Sequence, residues 1–204
     1  MELYLAILLF AASTTITPGP NNIMIMSSGL NYGVKSSIPH LLGICFGFPV
    51  MVIMVGLGFS IVFEMYPVFH QIIKVVGVVY LLYLAWLVAS SSPTSLEGSK
   101  SKPLGFMQAA LFQWVNPKAW VMATGAVSAY TSISTDIFAQ VLFIALAFFI
   151  VAFPCVSIWL VFGASLKKYL KSARHQKAFN LSMALLLVAS VLPVIHEIIN
   201  QYSA

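Results

Sequence analysis

The chain has 204 residues, of which 60% are hydrophobic and only 7% are charged, with a net charge of +5 and a mean hydropathy of +0.97. A soluble domain carries about 25% charged residues, so this composition excludes an ordinary soluble protein. It indicates an all-α polytopic membrane protein. At about 20 residues for each span, the length allows six or seven spans and leaves no room for a soluble domain.

Six hydrophobic runs predict six transmembrane helices. The first run follows an acidic residue, Glu2, where a signal peptide would carry Lys or Arg, so we expect an uncleaved span. The segment 91–104, rich in Ser, Pro, Gly and Lys, predicts a linker. We therefore expect one transmembrane domain over 1–204, with a first repeat of three helices over about 1–90 and a second over about 105–204. The runs are 3–30, 37–63, 68–90, 105–130, 137–165 and 178–201.

The basic residues predict the orientation of these helices, because cytoplasmic loops of membrane proteins carry an excess of Lys and Arg. Eight of the ten Lys and Arg lie in the first, third and fifth connections. The N-terminus, the other two connections and the C-terminus carry Glu2, Glu64, Asp136 and Glu197 instead. We expect a multi-pass membrane protein with both termini outside and the basic connections in the cytoplasm. The basic connections contain Lys35, Lys100, Lys102, Lys167, Lys168, Lys171, Arg174 and Lys177.

The stretch Thr17-Pro18-Gly19-Pro20-Asn21-Asn22 interrupts the first run. Each proline lacks an N–H and clashes with the carbonyl four residues earlier, at about 3 kcal/mol in a helix interior. The carbonyls of Thr14 and Ile16 are therefore freed, and in hydrocarbon such groups persist only against protein or a wet cavity. We predict that helix 1 is broken about 22 Å along its length, near the middle of a bilayer core about 30 Å thick. The alternative is a kink that only improves packing.

A second break is predicted in the fourth run, within Gln113-Trp114-Val115-Asn116-Pro117-Lys118. Asn116 is a good N-cap and Pro117 a good first helical residue, and the proline frees the carbonyl of Gln113. This point lies about 18 Å along the run. Since each half has three spans, the halves run in opposite directions. Interrupted helices at matching places in two inverted halves indicate the binding site of a transporter.

Two half-helix N-termini near the midplane suit a substrate carboxylate, because helix N-termini bind anions through free N–H groups and the positive end of the dipole. The N–H groups around 21–23 and 118–120 are the candidates, and the asparagine side chains could orient the ligand. The carbonyls that the prolines free are predicted acceptors for an α-ammonium. The predicted substrate-binding residues are Thr17, Pro18, Gly19, Pro20, Asn21, Asn22, Gln113, Asn116, Pro117 and Lys118.

Lys118 lies about thirteen residues into the fourth run, where a charge costs about 2.5–3.5 kcal/mol on insertion scales. We predict that it holds the carboxylate or titrates during transport; the alternative is that it caps carbonyls of a neighbouring helix. His40, at the cytoplasmic start of the second run, is the other candidate for proton coupling, or else an interfacial residue. No Asp or Glu lies deep in any run, which favours a neutral or thiol-bearing substrate over lysine or arginine.

Three features of the sequence carry a family resemblance: the proline motif in the first run, the glycines Gly33, Gly43 and Gly47, and Asn116-Pro117-Lys118 in the fourth run. Through these residues the chain resembles the lysine-exporter (LysE/RhtB-type) family of amino-acid efflux proteins. With Ser27-Ser28, it looks most like the cysteine/O-acetylserine exporters in that family. The resemblance implies export of small amino acids across the inner membrane, driven by the proton gradient, and a homo-oligomer such as a dimer.

An alternative function rests on Cys45 and Cys155, one in each half, which could serve a membrane thiol-redox electron carrier. No phosphate loop, zinc-ligand spacing or hydrolase motif is found in the sequence. We therefore expect a protein that is not an enzyme, with no cofactor, no metal and no nucleic-acid partner. The four tryptophans are predicted to be lipid-interface or packing residues.

Overall fold

The computed structural model describes residues 2–59, 65, 67–90, 102–131, 136–170 and 172–203, and within them every regular element is helical. A π-helical turn, Val55–Phe59, continues the second helix, and a 3₁₀ turn, Gln113–Val115, follows the fourth. The helices are α1 (Glu2–Ile16), α2 (Pro20–Met54), α3 (Pro67–Ser90), α4 (Phe106–Phe112), α5 (Pro117–Tyr130), α6 (Ile137–Leu166) and α7 (Ala173–Ser203).

Helix α2 folds back on itself at Gly33, whose backbone has φ 80° and ψ 170°, a conformation that only glycine adopts readily. The two parts lie side by side, because Ser28 Oγ and His40 Nδ1 are 3.0 Å apart. In a straight helix these two residues would be separated by about 18 Å. We name the parts α2a (20–32) and α2b (34–54). The predicted first connection, 31–36, is thus reduced to a single non-helical residue.

Within the described residues, helices occupy the predicted hydrophobic runs, and the chain is a polytopic helical protein. In this described part, four helical segments are long and apolar enough to cross a membrane. The predicted start of the sixth run is wrong by five residues, because α7 begins at Ala173. Ser172 Oγ accepts a hydrogen bond from the N–H of Arg174 at 3.2 Å, so a polar cap starts this helix before its apolar part. Most of the predicted linker, 91–101, lies outside the described residues.

Helix α6 packs against both parts of α2 and against α1, while α2b packs against α4 and α3 packs against α7. The closest approaches are made at glycines. A Cβ on Gly163 would meet the carbonyl oxygen of Met26, and one on Gly29 would meet that of Leu160. On α2b, a Cβ on Gly43 would meet the carbonyl oxygen of Phe106. Small residues therefore bring these backbones into contact, as is usual between membrane helices.

We predict that Gly163→Ala destabilises the protein by about 1–3 kcal/mol, because its Cβ has no room beside the backbone of α2a and the helices must separate. The matched control is Gly125→Ala, whose Cβ would make only an ordinary contact, 3.9 Å from Phe10 Cζ. Thermal unfolding in detergent should show a lower midpoint for the first variant and an equal or higher one for the second. Equal midpoints for the two variants would contradict this packing.

Candidate functional site

The backbone leaves the helical conformation at both places where the prolines predict it. Helix α1 ends at Ile16, and α2 begins at Pro20 with Gly19 as an extended N-cap residue. In the other half, the 3₁₀ turn after α4 ends at Asn116, which caps α5: its Oδ1 accepts the N–H of Lys118 at 3.1 Å. The first helical residue after each break is therefore a proline, which lacks the N–H that a helix start leaves unsatisfied.

Lys118 joins the second break to the first. Its Nζ donates to the carbonyl oxygen of Thr17 at 2.7 Å, to Thr17 Oγ1 at 2.8 Å and to the carbonyl oxygen of Pro18 at 3.3 Å. Its side chain runs past Gly19, where a Cβ would lie 2.7 Å from Lys118 Cδ. In this conformation Lys118 therefore caps carbonyls of a neighbouring segment, which is the alternative given for it in the sequence analysis.

A pair of amide side chains forms a second bridge between the breaks. Asn21 Nδ2 donates to Gln113 Oε1 at 2.8 Å, and Gln113 Nε2 donates back to Asn21 Oδ1 at 3.2 Å. Gln113 is fully buried and also donates to the carbonyl oxygen of Ala109 at 2.9 Å. Because both amides are paired with each other, this bridge fixes the start of α2 against the end of α4.

The carbonyls that the prolines free already have donors within the protein. Thr17 Oγ1 donates to the carbonyl of Thr14 at 2.8 Å, and Trp159 Nε1 donates to that of Ile16 at 3.0 Å. The carbonyl of Gln113 accepts the N–H of Asn116 at 3.3 Å. Each of these three oxygens therefore already accepts one hydrogen bond in this conformation. Lys118 binds the carbonyls of Thr17 and Pro18, and the carbonyl of Thr17 also accepts from Asn22.

The two helix starts differ in how their N–H groups are used. At the second break, the N–H groups of Lys118 and Ala119 bond to the side chain and the carbonyl of Asn116. At the first break, Gly19 offers no side-chain cap to the first turn of α2. Asn22, which is buried, instead donates to the carbonyls of Thr15 and Thr17 at 2.7 and 2.8 Å. The start of α2 is therefore the more available site for an anion.

A cavity lies between the breaks, with a volume of about 30 Å³ for water-sized molecules. That space suits one or two waters and is smaller than an amino acid. The wall combines polar groups from the breaks with apolar side chains from α2b, α5 and α6. The lining residues are Thr14, Thr15, Gly19, Asn21, Asn22, Ile44, Phe48, Asn116, Lys118, Ala119, Met122, Ala152 and Val156.

Residues 12–196 match the family described as LysE type translocator. The chain belongs to the LysE family of translocators. It is 31% identical over 177 residues to the cysteine/O-acetylserine efflux protein of Salmonella typhimurium (strain LT2), covering 86% of this chain and 88% of that protein. It is 29% identical over 176 residues to the protein of the same name from Escherichia coli (strain K12), with the same coverage. No solved structure gives a significant match.

Two further expectations from the sequence concern His40 and the cysteine pair of this LysE-family protein. Only 1% of His40 is exposed; its Nδ1 contacts Ser28 Oγ, and its Nε2 has no partner among the described residues. It does not line the cavity. Cys45 and Cys155 are both free and buried, and the family is one of translocators and not of enzymes, so the thiol-redox alternative gains no support.

Trp159 and Thr15 are site residues that the sequence analysis missed. Trp159 was predicted as an interface or packing residue, yet its indole N–H satisfies the carbonyl of Ile16. A tryptophan inside a span needs an acceptor for that N–H, and a proline-freed carbonyl needs a donor, so the two could have been matched. Thr15 Oγ1 is buried in the cavity wall without a partner among the described residues, and no sequence signal indicates this.

We predict that the Asn21–Gln113 bridge is energetically coupled. Asn21→Ala and Gln113→Ala should each lower stability, and the double variant should lose about 0.5–3 kcal/mol less than their sum, because either single variant already leaves an amide unpaired. Thermal unfolding in detergent measures all three. The control combines Asn21→Ala with Asn180→Ala, since Asn180 pairs with Asn31 about 15 Å along α2a. That combination should be additive, and additivity in both pairs would contradict the coupling.

Proposed function

We propose that this protein is a secondary transporter that exports small neutral amino acids and their derivatives, with cysteine and O-acetylserine as the favoured substrates. The efflux proteins it resembles carry those two substrates in their names. One observation carries the proposal for a site: a lysine from one helix break bonds to the other break beside a cavity. Charged groups inside membrane spans are expensive, and they mark substrate and ion pathways.

The packing of the helices supports two inverted repeats, 1–90 and 105–204. The first part of each broken span packs against the second span of the other repeat: α1 against α6, and α4 against α2b. The third spans, α3 and α7, pack against each other. This reciprocal pattern is what a two-fold axis in the membrane plane would produce. With it we propose that the breaks lie near the midplane, with both termini outside and a homo-oligomeric assembly such as a dimer.

The chemistry of the cavity wall favours neutral substrates. Among the described residues that line it, none is Asp or Glu, and one, Lys118, carries a positive charge. A substrate carboxylate finds the ammonium and the uncapped start of α2. The amine of a lysine side chain would find no carboxylate there, and its desolvation would go uncompensated. The apolar side chains of Ile44, Phe48 and Met122 instead suit a short side chain or a thiol.

Export from cells tests this proposal. Cells that express the wild type should release labelled cysteine and O-acetylserine faster than cells without it, and labelled lysine no faster. Lys118→Ala should lower cysteine export about tenfold or more, because a charged hydrogen bond contributes about 1.5–3 kcal/mol. The matched control is Lys102→Ala, which removes an exposed lysine outside the helices and should export normally. Lysine export at the rate of cysteine would contradict the proposed substrate class.

We also propose that export is coupled to the proton gradient, with Lys118 and His40 as the candidate proton carriers. The Nε2 of His40 is buried and has no partner among the residues that the structure describes, which makes it a candidate position for a proton. Vesicles with an imposed pH gradient measure the coupling: His40→Gln or Lys118→Gln should reduce the stimulation of export by the gradient. The control is Ser28→Ala, which keeps the imidazole and removes only its neighbour. Unchanged stimulation in both variants would eliminate these two residues as carriers.

A further inference from the structure

We propose that the ammonium of Lys118 occupies the subsite for the substrate's α-ammonium, so that a substrate binds by displacing it. Lys118 would then pair with the substrate carboxylate. The inference rests on the proposed function, since it assigns the parts of an amino acid to groups of that same site. In this conformation the ammonium of Lys118 takes the place of the substrate ammonium.

We name the three oxygen atoms that bind Lys118 Nζ the cradle. Their number matches the number of N–H donors on an ammonium group. A primary ammonium has three N–H donors and no acceptor. The first break supplies three oxygens for them: the carbonyl of Thr17, its Oγ1, and the carbonyl of Pro18. The hydroxyl hydrogen of Thr17 is directed away, since Oγ1 donates to the carbonyl of Thr14, so its lone pairs face the lysine. An α-ammonium carries the same three donors and would be satisfied in the same way.

Displacement of Lys118 conserves the hydrogen bonds of the cradle and adds new ones. Before binding, the cradle holds the lysine. After binding, it holds the substrate ammonium, and the released lysine bonds to the carboxylate on the same molecule. A zwitterion thus gains a charged pair that a simple amine lacks. The site would therefore discriminate in favour of free amino acids and against amines without a carboxylate, although it contains no acidic residue among those described.

The cavity beside Lys118 leaves little room for a substrate while the lysine side chain is in place. The cavity of about 30 Å³ is too small for an amino acid beside the lysine. Gly19 leaves open the path of the side chain, since a Cβ there would meet Lys118 Cδ and lie 3.1 Å from Nζ. The three heavy atoms nearest to a Cβ on Gly19 all belong to this flexible side chain. Withdrawal of Lys118 therefore vacates room directly at the break.

The test compares two labelled probes on purified protein in detergent: cysteine, which is a zwitterion, and cysteamine, which lacks the carboxylate. The wild type should bind cysteine more tightly. Lys118→Met leaves the cradle vacant and removes the carboxylate partner. It should therefore bind cysteamine about tenfold more tightly than the wild type and cysteine about tenfold more weakly. A merely structural lysine would weaken both probes or neither, so this inversion of preference is the decisive readout.

Lys102→Met is the matched control and should leave both affinities unchanged. Thr17→Val in the Lys118→Met background should reverse the gain for cysteamine, because it removes one cradle oxygen. Lys118→Gln should invert the preference in the same direction and serves if the methionine variant fails to fold. Cysteamine affinity that stays constant or falls in both lysine variants, while the wild type exports cysteine, overturns this inference alone. A wild type that neither binds nor exports cysteine overturns it together with the proposed function.

Discussion

Backbone groups that leave a helix inside a membrane must find partners, and this requirement organises the molecule. Two prolines in the first span deprive the carbonyls of Thr14 and Ile16 of their helical N–H donors, so other groups must supply hydrogen bonds. Thr17 Oγ1 is a local donor for Thr14, and Trp159 on α6 is a distant donor for Ile16. Lys118 on α5 binds the neighbouring carbonyls of Thr17 and Pro18. The hydrogen bonds to the carbonyls of Ile16, Thr17 and Pro18 therefore fix the positions of α6 and α5 relative to the first break.

Close backbone contact makes these long-range bonds possible. Gly29 and Gly163 let α2a and α6 approach until side chains of one contact the backbone of the other, which brings Trp159 within reach of the break. Gly43 does the same for α2b and α4, and Gln113 follows at the end of α4. The hydrogen-bonded site is thus a product of packing, since larger residues at the glycine positions would move the donors away from their carbonyls.

Features with a local cause could be predicted from the sequence, whereas features that depend on tertiary packing could not. Prolines at 18, 20 and 117 predicted both breaks, because a missing N–H acts within one turn. The family was also recognisable from those motifs. Which donor satisfies which carbonyl was not predictable, since Trp159 and Ile16 meet only through the packing of α6 on α1. The burial of His40 was missed for a similar reason: it follows from the fold-back at Gly33, and a residue near the end of a hydropathy run gives no sign of what lies beside it.

The one-residue connection at Gly33 has a mechanical consequence. A long loop would let its two helices shift independently, whereas a single non-helical residue limits the relative motion of α2a and α2b to rotation about that point. Asn21 lies twelve residues from that pivot, or about 18 Å. A tilt of about 10° there would carry its side chain roughly 3 Å, enough to part it from Gln113. Alternation between a shut and an open chamber would then need no unwinding of any helix, only a small change in the angle at one glycine.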